Sequence, residues 1–279
     1  MPVRIQLYCL GYEFIVQDTT LLYEDTMTKV ISLFNQAGGV GKTTITLNLG
    51  YQLSKRRNKV LLIDLDPQAS LTLFMGIDPS SLEKTVFDAI VNEEPLSIHP
   101  KIHGMDIAPT NINLSAAEIQ LVNMDFREVR LQDAIAPIKD NYDFILIDCP
   151  PSLGLLSYIS LVAATHVLVP IETHYKAFEG TNLLLQTVAR VRKKGNRFLQ
   201  IAGFVPSRYA AINSQDKRTL KAIQEQFAPV GPVYNPIPRI TAFVDASEKQ
   251  VPLAVYEPKN AVIRILDQLA AKMEKLNGK

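Results

Sequence analysis

The chain has 279 residues, of which 47% are hydrophobic and 20% charged, and its formal net charge at pH 7 is +1. This length and composition exclude wholesale disorder, and the near-neutral total leaves nucleic-acid binding undecided. Two cysteines are too few for a disulfide scaffold, and no apolar run approaches the ~20 residues of a membrane span. We therefore expect a cytoplasmic protein of one or two domains that does not use the membrane.

The first 26 residues differ from the rest of the chain in charge, with a net of −3. The pattern changes at Met27, after which a strand-like apolar run begins. We interpret residues 1–26 as an N-terminal extension to a domain that spans 27–279. The extension is either a partner-binding arm or the product of a start codon upstream of the true Met27.

From residue 27 onward, short apolar runs alternate with helical stretches. Strands are predicted at 29–34, 59–64, 144–148, 166–170 and 198–205. Helices are predicted at 42–56, 154–164, 176–193, 213–227 and 258–276, and Ser115 and Glu118 have the spacing of a capping box, which predicts a helix start there. Nearly continuous apolar strands separated by helices are typical of a sheet that is buried on both faces. The sequence therefore predicts an α/β fold with a doubly wound, mostly parallel sheet and helices on both faces.

A glycine-rich segment between the first strand and the first helix is the strongest functional signal. It consists of Gly38, Gly39, Val40, Gly41, Lys42, Thr43 and Thr44. Glycines let backbone N–H groups wrap around phosphates, and the helix N-terminus adds partial positive charge. Lys42 is expected to reach the β- and γ-phosphates, and the Thr43 hydroxyl to ligate Mg²⁺. The usual P-loop spacing fails because Gln36 occupies its first glycine position.

Two further segments place carboxylates at the ends of buried strands. Asp64 and Asp66 follow one strand and Asp148 follows another. With the glycine segment, they resemble the motifs of the deviant Walker A ATPases of the ParA/MinD family, and the resemblance spans about 27–279. It implies a P-loop NTPase fold and an ATPase that hydrolyses ATP slowly and is stimulated by a partner.

The family resemblance also implies roles for individual residues. Asp148 and Asp66 are expected to join Thr43 around Mg²⁺. Asp66 is expected to position or activate the attacking water beside Lys42, with Asp64 close to the metal as its rival for that role. Pro238 falls where the family cradles adenine.

The sequence departs from the family at Ala37, where relatives carry a signature lysine that crosses the dimer interface to the partner's ATP. Among ParA-like proteins, this loss resembles the McdA branch, which distributes carboxysomes. It implies either a switch without hydrolysis or a cation supplied from elsewhere. Lys176 is the candidate, in cis or in trans, unless it is a solvated surface lysine.

Two basic groups offer surfaces for DNA, and the alternative for either is a solvated helix end, where cations also suit the helix dipole. They comprise Arg192, Lys193, Lys194 and Arg197 in the first group, and Lys217, Arg218 and Lys221 in the second; Arg190 and Arg208 extend the two basic stretches, and Asp216 lies within the second. The resemblance implies an ATP-dependent homodimer that binds nucleoid DNA nonspecifically and is released when a cargo-bound adaptor protein stimulates hydrolysis. The cargo is a carboxysome, a plasmid or a chromosome.

Two alternatives remain for the function. One is a nucleotide-gated protein adaptor that does not bind DNA. The other is a MinD-like membrane-associated ATPase, which we disfavour because the apolar stripe of the closing helix is expected to pack in the core. Asp267 and Glu274 also interrupt the positive charge of that helix.

Overall fold

The computed structural model describes residues 8–9, 12–13 and 28–276, without the side chains of 8–9, 12–13, 175–179 and 182. Strands β1 (Tyr8–Cys9) and β2 (Tyr12–Glu13) form an antiparallel pair. The rest of the predicted extension 1–26 lies outside the described residues, so its role stays a prediction.

A seven-stranded sheet has the order β5-β6-β4-β7-β3-β8-β9. Its strands are β3 (Lys29–Leu33), β4 (Val60–Asp64), β5 (His99–Ile102), β6 (Met105–Ala108), β7 (Phe144–Asp148), β8 (His166–Glu172) and β9 (Gln200–Ser207). All neighbouring pairs are parallel except β5 with β6. The predicted mostly parallel sheet is therefore confirmed, and each of the five predicted strands is present with small shifts at its ends.

Helices cover both faces of this sheet. They are α1 (Lys42–Lys55), α2 (Ser70–Phe74), α3 (Val86–Val91), α4 (Ala117–Leu121), α5 (Arg130–Ile135), α6 (Leu155–Ala163), α7 (Tyr175–Lys194), α8 (Ser214–Phe227), α9 (Ala242–Glu248), α10 (Leu253–Tyr256) and α11 (Val262–Met273). Alternate residues of each central strand enter two separate cores, so Leu61 packs with α3, α5 and α6, whereas Leu62 packs with α1 and α11. Burial on both faces explains why these strands read as continuous apolar runs.

The closing helix α11 lies against α1. Leu266 and Leu269 are buried in the shared core, and Arg56 at the end of α1 forms ion pairs with Asp267 and Glu274. The interpretation of the apolar stripe of this helix as core packing is confirmed. In the described part of the chain, no helix has the length and apolar character that crossing a membrane requires.

The helix predicted to start near Ser115 and Glu118 is present, but the predicted capping box is wrong. A 3₁₀ turn covers Ile112–Ala116, and α4 begins at Ala117 without a side-chain cap among the described residues. The Glu118 carboxylate instead accepts a hydrogen bond from the Leu156 N–H in the first turn of α6, 3.2 Å away. The Glu118 carboxylate therefore caps α6 and not its own helix, and the spacing of residues in the sequence does not reveal this contact.

Candidate functional site

Three adjacent strand ends meet at the carboxyl edge of the sheet, which is the edge where its parallel strands finish. Asp148 at the end of β7 pairs with Leu33 of β3 on one side and with Asp64 of β4 on the other. The glycine-rich segment follows β3 directly and leads into α1. The structure thus brings the predicted phosphate loop and the predicted carboxylates to one place, as expected where doubly wound sheets bind ligands.

The loop itself has the backbone of an anion cradle. Gly39 and Gly41 have φ angles of 73° and 88°, a left-handed conformation that residues with a Cβ adopt at a cost. Gly38 and Gly39 are exposed, whereas Val40 is buried and anchors the loop. No described side chain caps the first turn of α1 at Gly41, so its backbone N–H groups remain available to an anion.

Lys42 is buried at the base of the loop. Its Nζ donates hydrogen bonds to the Asn35 carbonyl at 2.8 Å and to the Ala37 carbonyl at 3.1 Å. Burial lowers the pKa of Lys42, and the nearby Asp148 carboxylate opposes that shift. The ammonium is therefore held where the loop curves, which is the position that the predicted phosphate contact requires.

Asp148 has an unusual environment beneath this lysine. Its Oδ1 lies 3.4 Å from the Thr46 hydroxyl, while its buried Oδ2 has no hydrogen-bond partner among the described residues. Burial and the charge of Asp64 raise the pKa of Asp148 well above its usual range, and the Thr43 hydroxyl and the Lys42 ammonium act in the opposite direction. The buried, unsatisfied Oδ2 of Asp148 and the nearby Thr43 hydroxyl fit a magnesium shell, because Mg²⁺ prefers oxygen ligands and retains waters.

The two carboxylates at the carboxyl end of β4 differ in their partners. Asp64 is fully buried, and its Oδ2 accepts from the Thr72 N–H at 2.8 Å and from the Thr72 hydroxyl at 2.7 Å. Its Oδ1 accepts from the Asp66 N–H at 3.2 Å. Asp66 is half-buried and accepts from the Gln68 N–H at 3.0 Å. Asp64 therefore anchors α2 and the turn that carries Asp66, while Asp66 faces the edge of the site.

The remaining predicted nucleotide residues lie around this edge. The Gln36 side chain donates to the Gly180 carbonyl at 2.7 Å, which brings the early turns of α7 beside the loop. Lys176 belongs to the first turn of α7, but its side chain lies outside the described residues, so its role stays a prediction. Pro238 is half-buried on an extended segment that pairs in parallel with Tyr209, just past the end of β9.

One cation at the loop was counted from the sequence only among the basic residues near α8 and not as part of the phosphate site. Arg208 follows β9, and its Nη1 donates to the Gly39 carbonyl at 3.1 Å while its Nε pairs with Glu172 at 3.2 Å. The preceding Ser207 hydroxyl donates to the Val40 carbonyl at 2.7 Å. Nothing in the local sequence marks these contacts, because they join residues far apart in the chain.

The two basic groups lie at opposite edges of the sheet. The group with Arg192, Lys193, Lys194 and Arg197 sits where α7 ends and β9 has yet to begin, which is the amino edge. The group with Lys217, Arg218 and Lys221 occupies the first half of α8, which starts near the carboxyl edge. All seven residues are exposed, although Arg192 also donates to the Leu199 carbonyl at 2.6 Å and Lys221 pairs with Glu225 at 3.7 Å. The second group is therefore nearer the phosphate loop.

Comparison with known proteins identifies similar sequences. The AAA domain family AAA_31 matches residues 28–201. The chromosome-partitioning ATPase Soj of Treponema pallidum is 36% identical over 256 residues, which are 90% of this chain and 99% of Soj. The chromosome partitioning protein ParA of Caulobacter vibrioides is 36% identical over 239 residues, which are 84% of this chain and 89% of that protein.

Solved structures of similar proteins contain bound nucleotides. A Mycobacterium smegmatis protein, described as cobyrinic acid a,c-diamide synthase, was crystallised with an ATP analog and magnesium. It is 32% identical with a TM-score of 0.74, over 80% of this chain and 93% of that chain. The ATP complex of Cyanothece McdA has a TM-score of 0.80 at 24% identity, over 88% of this chain and 96% of that chain. The predicted cofactors ATP and Mg²⁺ are thus confirmed in similar proteins, whereas the McdA likeness shows the fold alone.

Proposed function

This chain belongs to the ParA-like family of AAA-domain ATPases, and from that premise we propose that it is a Mg·ATP-dependent dimerisation switch. This membership confirms the resemblance drawn from the motifs. In the proposed cycle, the ATP-bound homodimer is held on nucleoid DNA in the cytoplasm and positions a large cargo. An adaptor protein on the cargo stimulates hydrolysis and releases the dimer. The observation that carries the proposal is the convergence of Lys42, Thr43 and the unsatisfied Asp148 oxygen at the glycine loop.

The residues of the site have distinct tasks in this proposal. Backbone N–H groups of 38–44 bind the phosphates, and the Lys42 ammonium exchanges its loop carbonyls for phosphate oxygens. Thr43 and Asp148 hold magnesium, which screens phosphate charge during hydrolysis. Asp66 orients the attacking water, and Asp64 fixes the turn that carries it. Pro238 packs against the adenine at the end of β9.

The exposed basic groups support DNA binding without sequence selection. Lysine and arginine contacts to phosphates release counterions, so affinity should fall steeply with salt and change little with sequence. The second group supports nucleotide control better, since Asp216 in the first turn of α8 accepts from Thr173 at 3.2 Å and from the Ala210 N–H at 2.8 Å. These bonds connect α8 to the strand ends beside the phosphate loop.

The cargo and the missing lysine remain proposals within this cycle. Ala37 lies where the family resemblance implies a signature lysine, which resembles the McdA branch, and the cargo stays open between a carboxysome, a plasmid and a chromosome. We propose that Lys176 contributes a cation to the dimer across the interface. Lys176→Ala should then weaken ATP-driven dimerisation more than ATP binding to the monomer, and Ala37→Lys in that background should restore part of the loss.

The function is tested by measuring dimerisation and DNA binding of the purified protein with ATP, with ADP and without nucleotide. Light scattering gives the mass, and random-sequence duplexes are titrated at increasing salt. We expect dimers and salt-sensitive DNA retention with ATP alone. Dimers that never retain DNA support a nucleotide-gated adaptor instead, and ATP-dependent flotation with anionic liposomes supports a MinD-like ATPase. Absence of any ATP-dependent change rejects the switch.

A further inference from the structure

Arg208 places a guanidinium on the outer side of the phosphate loop. The side chain is 41% exposed and bridges the Gly39 carbonyl and the Glu172 carboxylate, itself 30% exposed. Gly39 lies at the exposed tip of the loop, and a Cβ built there would be 3.7 Å from the Arg208 Nη1. The guanidinium therefore lies in direct contact with the tip of the loop that would cradle an anion.

The charge of the site calls for such a cation. Asp64, Asp66 and Asp148 converge on the carboxyl edge, whereas Lys42 is the single cation within residues 36–44. Bringing the phosphates of ATP into this group adds several negative charges at close range. Magnesium neutralises part of that charge, and Ala37 supplies none.

We propose that Arg208 is a phosphate-binding residue of the same subunit. Without ATP its guanidinium binds Glu172 and the Gly39 carbonyl, and on ATP binding it exchanges these partners for phosphate oxygens. The inference rests on the proposed ATP switch and assigns a cation that the motifs do not include. Both present partners are replaceable. The ion pair with Glu172 is solvent-accessible and weak, and a planar guanidinium binds phosphate oxygens in pairs more strongly than it binds a neutral carbonyl.

A purely structural role for Arg208 is the competing explanation, because Ser207 and Arg208 both tie the end of β9 to the loop. The two residues differ in charge, so they separate the explanations. Ser207→Ala removes the bond to the Val40 carbonyl without changing charge, whereas Arg208→Ala removes a bond and a cation. Alanine suits this test because Arg208 has a φ of 53°, and a Cβ at that position preserves the existing backbone strain.

The experiment measures ATP and ADP affinities of the full chain by calorimetry with magnesium. Losing a charge-assisted phosphate contact in Arg208→Ala should weaken ATP roughly tenfold and ADP by less than about threefold. Arg208→Lys, which keeps the charge without the fork, should fall between. Glu172→Gln, which frees the guanidinium, should strengthen ATP binding, and that gain should vanish in the Arg208→Ala background.

The outcomes discriminate between the inference and the function beneath it. Equal losses of ATP and ADP affinity in both Arg208→Ala and Ser207→Ala mean that Arg208 merely braces the loop. A Glu172→Gln effect that persists without Arg208 also overturns the inference. If Arg208→Ala binds both nucleotides as the unaltered chain does, the inference fails while the ATP switch stands. If the unaltered chain binds neither nucleotide, the proposed function itself fails.

Discussion

Replacing Asp64 and Asp66 separately by alanine should show that Asp64 mainly stabilises the fold and that Asp66 mainly serves catalysis. Asp64→Ala leaves the N–H and hydroxyl of the fully buried Thr72 without the acceptor they share. Each buried donor left unpaired costs about 1–3 kcal/mol, and removal of a carboxyl whose pKa burial has raised offsets part of that cost. We expect a net loss of about 2 kcal/mol in the free energy of unfolding, which for this chain length lowers Tm by about 4–8 °C.

Asp66→Ala should change stability little and lower the turnover of ATP. Its Oδ1 accepts one hydrogen bond from the exposed Gln68 backbone, so the free energy of unfolding should fall by less than about 1 kcal/mol. Turnover of ATP should nevertheless fall at least about tenfold with nucleotide affinity retained, because a group that orients water acts in the transition state. The ATP-bound dimer should then accumulate on DNA.

The assays are nucleotide-free thermal melts, steady-state phosphate release and nucleotide affinity for each variant. Asp78→Ala is the matched control, since Asp78 caps the exposed 3₁₀ turn Pro79–Ser81 away from the site. A stable Asp64→Ala protein without turnover, beside an active Asp66→Ala protein, would reverse the two roles. Unchanged turnover in both would remove this strand end from catalysis.

Three further outcomes follow from the structure. Lys42→Ala should lose ATP binding and dimerisation, and an ATP-dependent dimer of this variant in light scattering would contradict the assigned phosphate site. Charge reversal at Lys217 and Arg218 should weaken retention on every DNA sequence alike and flatten its salt dependence, and normal affinity would exclude this surface. Burial lowers the pKa of His166 from 6.5 to about 4. The unfolded chain therefore protonates at His166 first as pH falls, and this group alone lowers stability by about 2 kcal/mol between pH 7.5 and pH 5, while the raised pKa values of the buried Asp64 and Asp148 act in the opposite direction. In urea unfolding, the stability of His166→Asn relative to the unaltered chain should therefore rise by about 2 kcal/mol from pH 7.5 to pH 5, and a difference that does not change with pH would show that His166 does not titrate in this way.

Local signals in the sequence were enough for the central fold and the phosphate loop. Strands β3, β4 and β7 are buried on both faces, so their apolar runs are visible without any knowledge of their neighbours. The edge pair β5–β6 was missed, because β5 has no buried residue and its pattern resembles a loop. The hairpin signal was the turn at His103 and Gly104, which have φ angles of 51° and 80°.

The sequence by itself determined the five strands and the helices that follow them, the glycine loop and the presence of carboxylates at strand ends, because periodicity and backbone preference are local properties. It did not show that Asp64 and Asp66 have different surroundings, since both stand at the end of the same strand. The difference is that Asp64 alone accepts hydrogen bonds from Thr72. It also did not place Arg208 at the loop, 169 residues away from Gly39. Tertiary structure decided both placements, because the pairing of distant strands and the packing of α2 fix which polar atoms are satisfied and which stay open at the carboxyl edge of the sheet.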